Sequence, residues 1–130
     1  MTNKQVLQTF LAAFASRDGS TQFALLHPEV EIRDPESLPY GGTYTGHDGW
    51  RALNKGIIAT WQDIEFGASK VIGEESGEDF AVLGSLRGKS RATGKAFSCD
   101  VCEHWRVVDG LIVQIRPFYW DTQAVNDVNR

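Results

Sequence analysis

Between Ala96 and Trp120 two runs of alternating apolar residues are separated by only Asp109-Gly110. Aspartate and glycine tolerate the positive φ angles of a two-residue turn between antiparallel strands, so this dipeptide pairs the runs Ala96–Val108 and Leu111–Trp120 directly. Two further period-two runs, at about Glu65–Gly73 and Phe80–Arg87, precede them, and Gly77, Gly88 and Gly94 punctuate the series. The C-terminal half therefore reads as a meandering antiparallel sheet.

The N-terminal half carries a different period. Thr2 and Gln5 have capping-box spacing, and Val6, Leu7, Phe10, Leu11 and Phe14 recur at helical intervals up to Arg17-Asp18-Gly19. Ser20 is placed to cap a short second helix containing Phe23, Leu25 and Leu26, which His27-Pro28 ends. Val30–Asp34 alternates as a strand. Pro35, Pro39, Gly41 and Gly42 mark a loop, and Trp50, Leu53, Ile57, Ile58 and Trp61 form the stripe of a third helix. The predicted fold is α+β, a curled, cone-shaped antiparallel sheet wrapped around three N-terminal helices and enclosing an apolar pocket. At 130 residues the chain suits one domain spanning 1–130.

Composition narrows the partners. A net charge of −4 argues against a broad phosphate-binding face, and hence against nucleic acid. No apolar run approaches the roughly 20 residues of a membrane helix, and the N-terminus lacks a signal peptide's apolar stretch, so the expected location is cytoplasmic, away from membranes. Cys99 and Cys102 have the spacing of half a metal motif without its second half. On a strand, three residues apart means opposite faces, which predicts two reduced structural thiols and no bound metal.

Alternation also sorts the acids. If Val30 and Ile32 face inward, so does Asp34; if Trp105 and Val107 face inward, so does Glu103. Leu111, Val113, Ile115, Pro117, Tyr119 and Asp121 share one face of the last strand. Three carboxyl groups are then expected to look into one cavity lined by Phe10, Phe14, Trp50, Trp61, Trp105 and Tyr119, with Tyr44 a lid residue or a surface anchor. Lost hydration and mutual repulsion raise carboxyl pKa values, and acids tuned to roughly 6–7 suit general acid/base work. Each acid has a plainer reading as well. Asp34 is placed to shape the turn before Pro35, and Asp121 to cap the C-terminal segment or pair with Arg116. A one-residue slip would replace Glu103 by His104. His27 and His47 belong to a turn and a helix entry.

Gly42-Thr43-Tyr44-Thr45-Gly46-His47-Asp48-Gly49 entering a helix, Val108-Asp109-Gly110-Leu111-Ile112 at the last hairpin, and Phe118-Tyr119-Trp120-Asp121 together resemble the SnoaL-like branch of the nuclear-transport-factor-2-like (NTF2-like) superfamily. The resemblance covers nearly the whole chain. That superfamily includes ketosteroid isomerases, polyketide cyclases, limonene epoxide hydrolases and members without catalysis. The resemblance implies that Asp34 corresponds to the isomerases' general base, Glu103 to their protonated acid, and Asp121 to the cyclases' acid/base aspartate and to one of two aspartates in the epoxide hydrolases. The isomerases' oxyanion-hole tyrosine falls on Phe10, which cannot donate a hydrogen bond and argues against steroid isomerisation. Where the hydrolases need an acid, Arg87-Gly88-Lys89 offers a lysine.

The functional expectation is a cofactor-independent acid/base enzyme acting on a small hydrophobic carbonyl compound, by cyclisation or isomerisation. The alternatives are a non-catalytic module binding an apolar ligand in the same pocket, and an interaction domain using the outer sheet face. Ile112, Phe118 and Trp120 are candidates there for a subunit contact. The resemblance implies a homodimer through that face.

Overall fold

A computed structural model describes residues 1–130. Thr2 opens α1 (Asn3–Ala15) through the capping box read from the sequence: its hydroxyl accepts from the Gln5 amide at 3.1 Å, and the Gln5 side chain accepts from the Thr2 amide at 2.9 Å. One stripe of this helix, Val6, Leu7, Phe10 and Ala13, is buried. The second helix, α2 (Gly19–Leu25), is capped by Asp18 rather than Ser20; the Asp18 carboxylate accepts from the Thr21 amide at 3.1 Å. β1 (Leu26–Asp34) and β2 (Gly42–Thr45) form an antiparallel pair, and β2 occupies part of the stretch expected to be loop. α3 (Gly46–Thr60) follows, then β3 (Trp61–Ile72), β4 (Asp79–Ser90), β5 (Ala96–Val108), β6 (Leu111–Tyr119) and an unanticipated short helix, α4 (Thr122–Asp127). Trp61 closes α3 as its cap and is the first residue of β3, and Ile58 is exposed.

The six strands form one curled, open sheet in the order β2-β1-β6-β5-β4-β3. All neighbours are antiparallel except β1 and β6, which run parallel and bring the first and last long strands together. Helices α1 and α3 lie in the hollow of the curl, α1 against β3, β5 and β6 and α3 against β1, β2 and β3. The shared core includes Phe10, Val30, Trp61, Phe80, Val82, Val107 and Ile112, and sealing each large side chain there contributes about 1.5–3 kcal/mol.

Asp109 (φ 49°) and Gly110 (φ 79°) make the expected tight turn of the last hairpin. Asn3 fastens it to α1, accepting from the Gly110 amide at 3.0 Å and donating to the Val107 carbonyl at 3.1 Å. Just beyond the turn the pairing changes step: Val107 faces Ile112 but Arg106 faces Gln114, which leaves Val113 as an extra residue. The bulge corrects the expected face of β6. Ile112 turns fully inward and is unavailable for an outer contact, whereas Ile115, Pro117 and Tyr119 face the hollow as expected.

The loop from Pro35 to Gly41 folds back on itself, with the Gly41 amide donating to the Leu38 carbonyl at 2.9 Å and the side chains of Leu38 and Tyr40 buried. A Cβ at Gly41 would collide with backbone atoms of Pro35 and Glu36. Gly41→Ala is therefore expected to cost about 2 kcal/mol in urea unfolding, and to displace Tyr40. An unchanged midpoint would show that the loop relaxes freely.

Candidate functional site

The hollow is a cavity of about 970 Å³ whose lining includes the exposed residues Arg17, Ile58, Asp63 and Arg91. That volume lies at the upper end of the range for small-molecule sites, roughly 300–1,000 Å³. Its apolar walls come from both helices and the sheet. Phe10 packs edge-on against Trp50 (5.5 Å between centroids) and Trp105 (5.3 Å), Phe14 lies 5.9 Å from Trp50, and Trp61 lies 4.2 Å from Phe97 with the rings tilted by 37°. The Trp50 indole N–H is satisfied by buried Gln22, at 3.2 Å. Six of the seven aromatic pocket residues expected from the sequence line the cavity. The exception is Tyr44, which stands behind it and donates to the Tyr40 carbonyl at 3.0 Å.

Two carboxyl groups enter this apolar space. Asp34 is the last inward residue of β1, following Val30 and Ile32, and is 7% exposed. Burial alone pushes its pKa up to about 7, with no hydrogen bond or countercharge to oppose it. Glu103 takes the matching place on β5. Burial pushes it to about 7 as well; the Trp105 indole, donating to its Oε1 at 3.1 Å, partly opposes the shift, and the nearby Asp34 charge adds to it. His104 faces the other way and meets Asp79 at 2.8 Å, so the register that points Glu103 inward is the one adopted.

Register explains why the two acids meet. Ile32 pairs with Ile115, and Ile115 with Trp105. Two residues further on, Asp34 comes level with Pro117, whose partner across β5 is Glu103. The acids thus flank Pro117 with their backbones about two strand spacings, roughly 10 Å, apart. Their side chains project into the gap above a ring that has no N–H to offer either of them.

The third acid is not with them. Alternation along β6 ends at Tyr119, and Asp121 caps α4 from an exposed position, its carboxylate accepting from the Ala124 amide at 3.0 Å. Its capping alternative is the one the fold realises, and Asp121 contributes nothing to the cavity lining.

Tyr40, in the loop marked by Pro39 and Gly41, belongs to the cavity wall. The residue is 3% exposed, and its hydroxyl accepts from the Trp61 indole at 2.9 Å and lies 3.2 Å from the Tyr119 hydroxyl. Burial holds both phenols above their ordinary pKa, so they stay neutral donors at any physiological pH. A tyrosine between Pro39 and Gly41-Gly42 has no periodicity, and only the folded-back loop shows that it is core. Cys99 and Cys102 are unbonded and occupy opposite faces of β5. No three His, Cys, Asp or Glu side chains gather in a metal-binding group, and no helix is long and apolar enough to cross a membrane.

Residues 7–115 match the family model described as the SnoaL-like domain. Among solved structures, an NTF2-like protein from Burkholderia thailandensis is 27% identical with a TM-score of 0.90, over 100% of this chain and 98% of that one. TerC, co-crystallised with polyporic acid, is 22% identical with a TM-score of 0.85, over 98% and 97% of the two chains. A protein from Xanthomonas campestris pv. campestris, provisionally named a polyketide cyclase, is 15% identical with a TM-score of 0.80, over 98% and 96%. No curated protein matches.

Proposed function

This chain belongs to the SnoaL-like family, and from that footing we propose that it is a cofactor-independent acid/base enzyme acting on a small hydrophobic carbonyl compound, by cyclase- or isomerase-like proton transfer. The observation that carries the proposal is Asp34. A carboxyl group buried at the wall of an aromatic cavity, with no protein partner and a pKa of about 7, is half ionised near neutrality and free to exchange its proton with whatever fills the cavity.

With a carbonyl compound bound, ionised Asp34 takes a proton from the carbon beside the carbonyl. The C–H electron pair becomes the C=C bond of an enolate, and the carbonyl π pair moves onto oxygen. Neutral Glu103 is placed across Pro117 to donate a hydrogen bond to that developing charge. Where a β,γ double bond extends the enolate, returning the proton from Asp34 to the γ carbon isomerises the compound; alternatively the enolate carbon attacks a second carbonyl within it to close a ring, and Asp34 gives its proton to the alkoxide formed.

The test is deuterium incorporation. A panel of cyclic ketones incubated with the protein in D2O near pH 7 is expected to gain deuterium beside the carbonyl faster than in buffer alone. Ketones that bind without exchanging would reassign the cavity to a non-catalytic carrier. No metal or organic cofactor enters this scheme.

The subunit proposal concerns the other side of the sheet. Phe118, 49% exposed, and Trp120, 86% exposed, leave an apolar patch on the outer end of β6, the kind of surface that marks a protein contact. We propose that it is the homodimer contact. Sedimentation is expected to show a dimer that Trp120→Asp converts to monomer, and a wild-type monomer at all concentrations would remove it.

A further inference from the structure

Phe10 stands where a hydroxyl would be useful, yet the cavity is not without one. Tyr40, Tyr119 and Trp61 form a chain whose proton directions can be worked out from donor and acceptor capacity. The Trp61 indole nitrogen can only donate, so Tyr40 is the acceptor of that 2.9 Å bond. The Tyr40 hydroxyl retains its own proton, and the single remaining polar neighbour within hydrogen-bond distance is the Tyr119 hydroxyl at 3.2 Å. Both tyrosines line the cavity, but Tyr40 is only 3% exposed and Tyr119 is partly exposed, so a bond donated by Tyr119 would leave the Tyr40 proton unpaired in the less accessible of the two places, at a cost of about 1–3 kcal/mol. Tyr40 therefore donates to Tyr119. The Tyr119 oxygen accepts, and its own proton is left for the cavity that Tyr119 lines together with Asp34 and Glu103.

We propose that Tyr119 is the hydrogen-bond donor to the carbonyl oxygen of the bound compound, held in that role by positioning residues Tyr40 and Trp61. This rests on the cavity being a site for a carbonyl compound, and it supplies from β6 the donor that α1 lacks. A donor whose oxygen already accepts a hydrogen bond is polarised toward giving its own. With Tyr119 and neutral Glu103 both available, the oxygen of the enolate has two donors while Asp34 works on the adjacent carbon, which favours compounds with one carbonyl oxygen at the buried end and an apolar body toward the mouth.

Two measurements test the assignment. A neutron structure of the ligand-free protein is expected to place the Tyr40 deuteron on the line to Tyr119 and to leave the Tyr119 deuteron off that line, on the cavity side. The reverse orientation would overturn the relay whether or not any ligand binds. In the second, 1-tetralone labelled with 13C at its carbonyl is added to wild type, Tyr119→Phe and Tyr40→Phe. The bound carbonyl resonance is expected to move downfield in wild type, to lose that shift in Tyr119→Phe with about tenfold weaker binding, and to keep part of it in Tyr40→Phe. Tetralone bound with the same shift in Tyr119→Phe would overturn the donor role while leaving the Asp34 reading intact. If tetralone fails to bind wild type, the carbonyl preference itself fails, and the donor role with it.

Discussion

The Asp34→Asn variant is expected to lose deuterium exchange into cyclic ketones by about 10²–10⁴-fold, the usual contribution of a positioned general base. Asparagine preserves shape and reach but cannot accept a proton from carbon. The fold should survive, because Asp34 makes no hydrogen bond or ion pair whose loss would disturb its neighbours. Glu103→Gln behaves differently, since an amide N–H can still donate to the enolate oxygen; it should retain more activity than Asp34→Asn. The pH profile separates the roles further. The proposed step needs Asp34 ionised and Glu103 neutral, and both groups are pushed up to about 7, so wild type should show a narrow bell centred near neutrality. Its two apparent pKa values belong to the coupled pair and not to either residue. In Glu103→Gln the alkaline limb should disappear, because the amide has no proton to lose. Exchange that is equal in wild type and Asp34→Asn would end the proposal.

A second large effect appears in stability without any substrate. The folded pKa of Asp34 is raised from 3.8 to about 7, so between those values the native state binds more protons than the unfolded chain, and stability falls as pH rises. The loss begins near pH 4 and levels off above about 7. From pH 5 to pH 8 it amounts to roughly 2–3 kcal/mol for this one group. Denaturant unfolding of wild type and Asp34→Asn across that range reads it, together with the relief of Glu103, which no longer feels the Asp34 charge in the variant. Asp34→Asn should gain on wild type steadily with pH and be the more stable protein at pH 8. A pH-independent difference would mean that Asp34 titrates as freely in the fold as out of it. The charge that the proposed chemistry needs is one that the fold tolerates at a cost, and its removal stabilises.

Local signals carried far in this chain. The Thr2 capping box, the Asp109-Gly110 turn and the alternation that turns Asp34 and Glu103 inward all depend on neighbours a few residues apart, and all are found in the fold. What escaped is non-local. The extra residue at Val113 has no signature in a run of apolar side chains, yet it reverses which of Leu111, Ile112 and Val113 faces inward. Trp61 fits a helical stripe equally well as the last residue of α3 or the first of β3. Asp121 continues the parity of Tyr119 only if the strand continues, and the turn into α4 stops it. Tyr40 becomes a core residue because a loop bends back by way of Gly41, a contact between backbones that no periodicity reports.

The parallel pairing of β1 with β6 has a consequence for how the molecule is made. The wall that dehydrates Asp34 includes Glu103, Pro117 and Tyr119, which are synthesised 69 to 85 residues after it. A nascent chain can assemble the β3–β4–β5 meander from sequential neighbours, whereas closure of β1 on β6 must wait until Leu111–Tyr119 has emerged. Until then Asp34 lacks the apolar wall that raises its pKa, so the dehydrated carboxyl group arrives in one step, together with completion of the sheet.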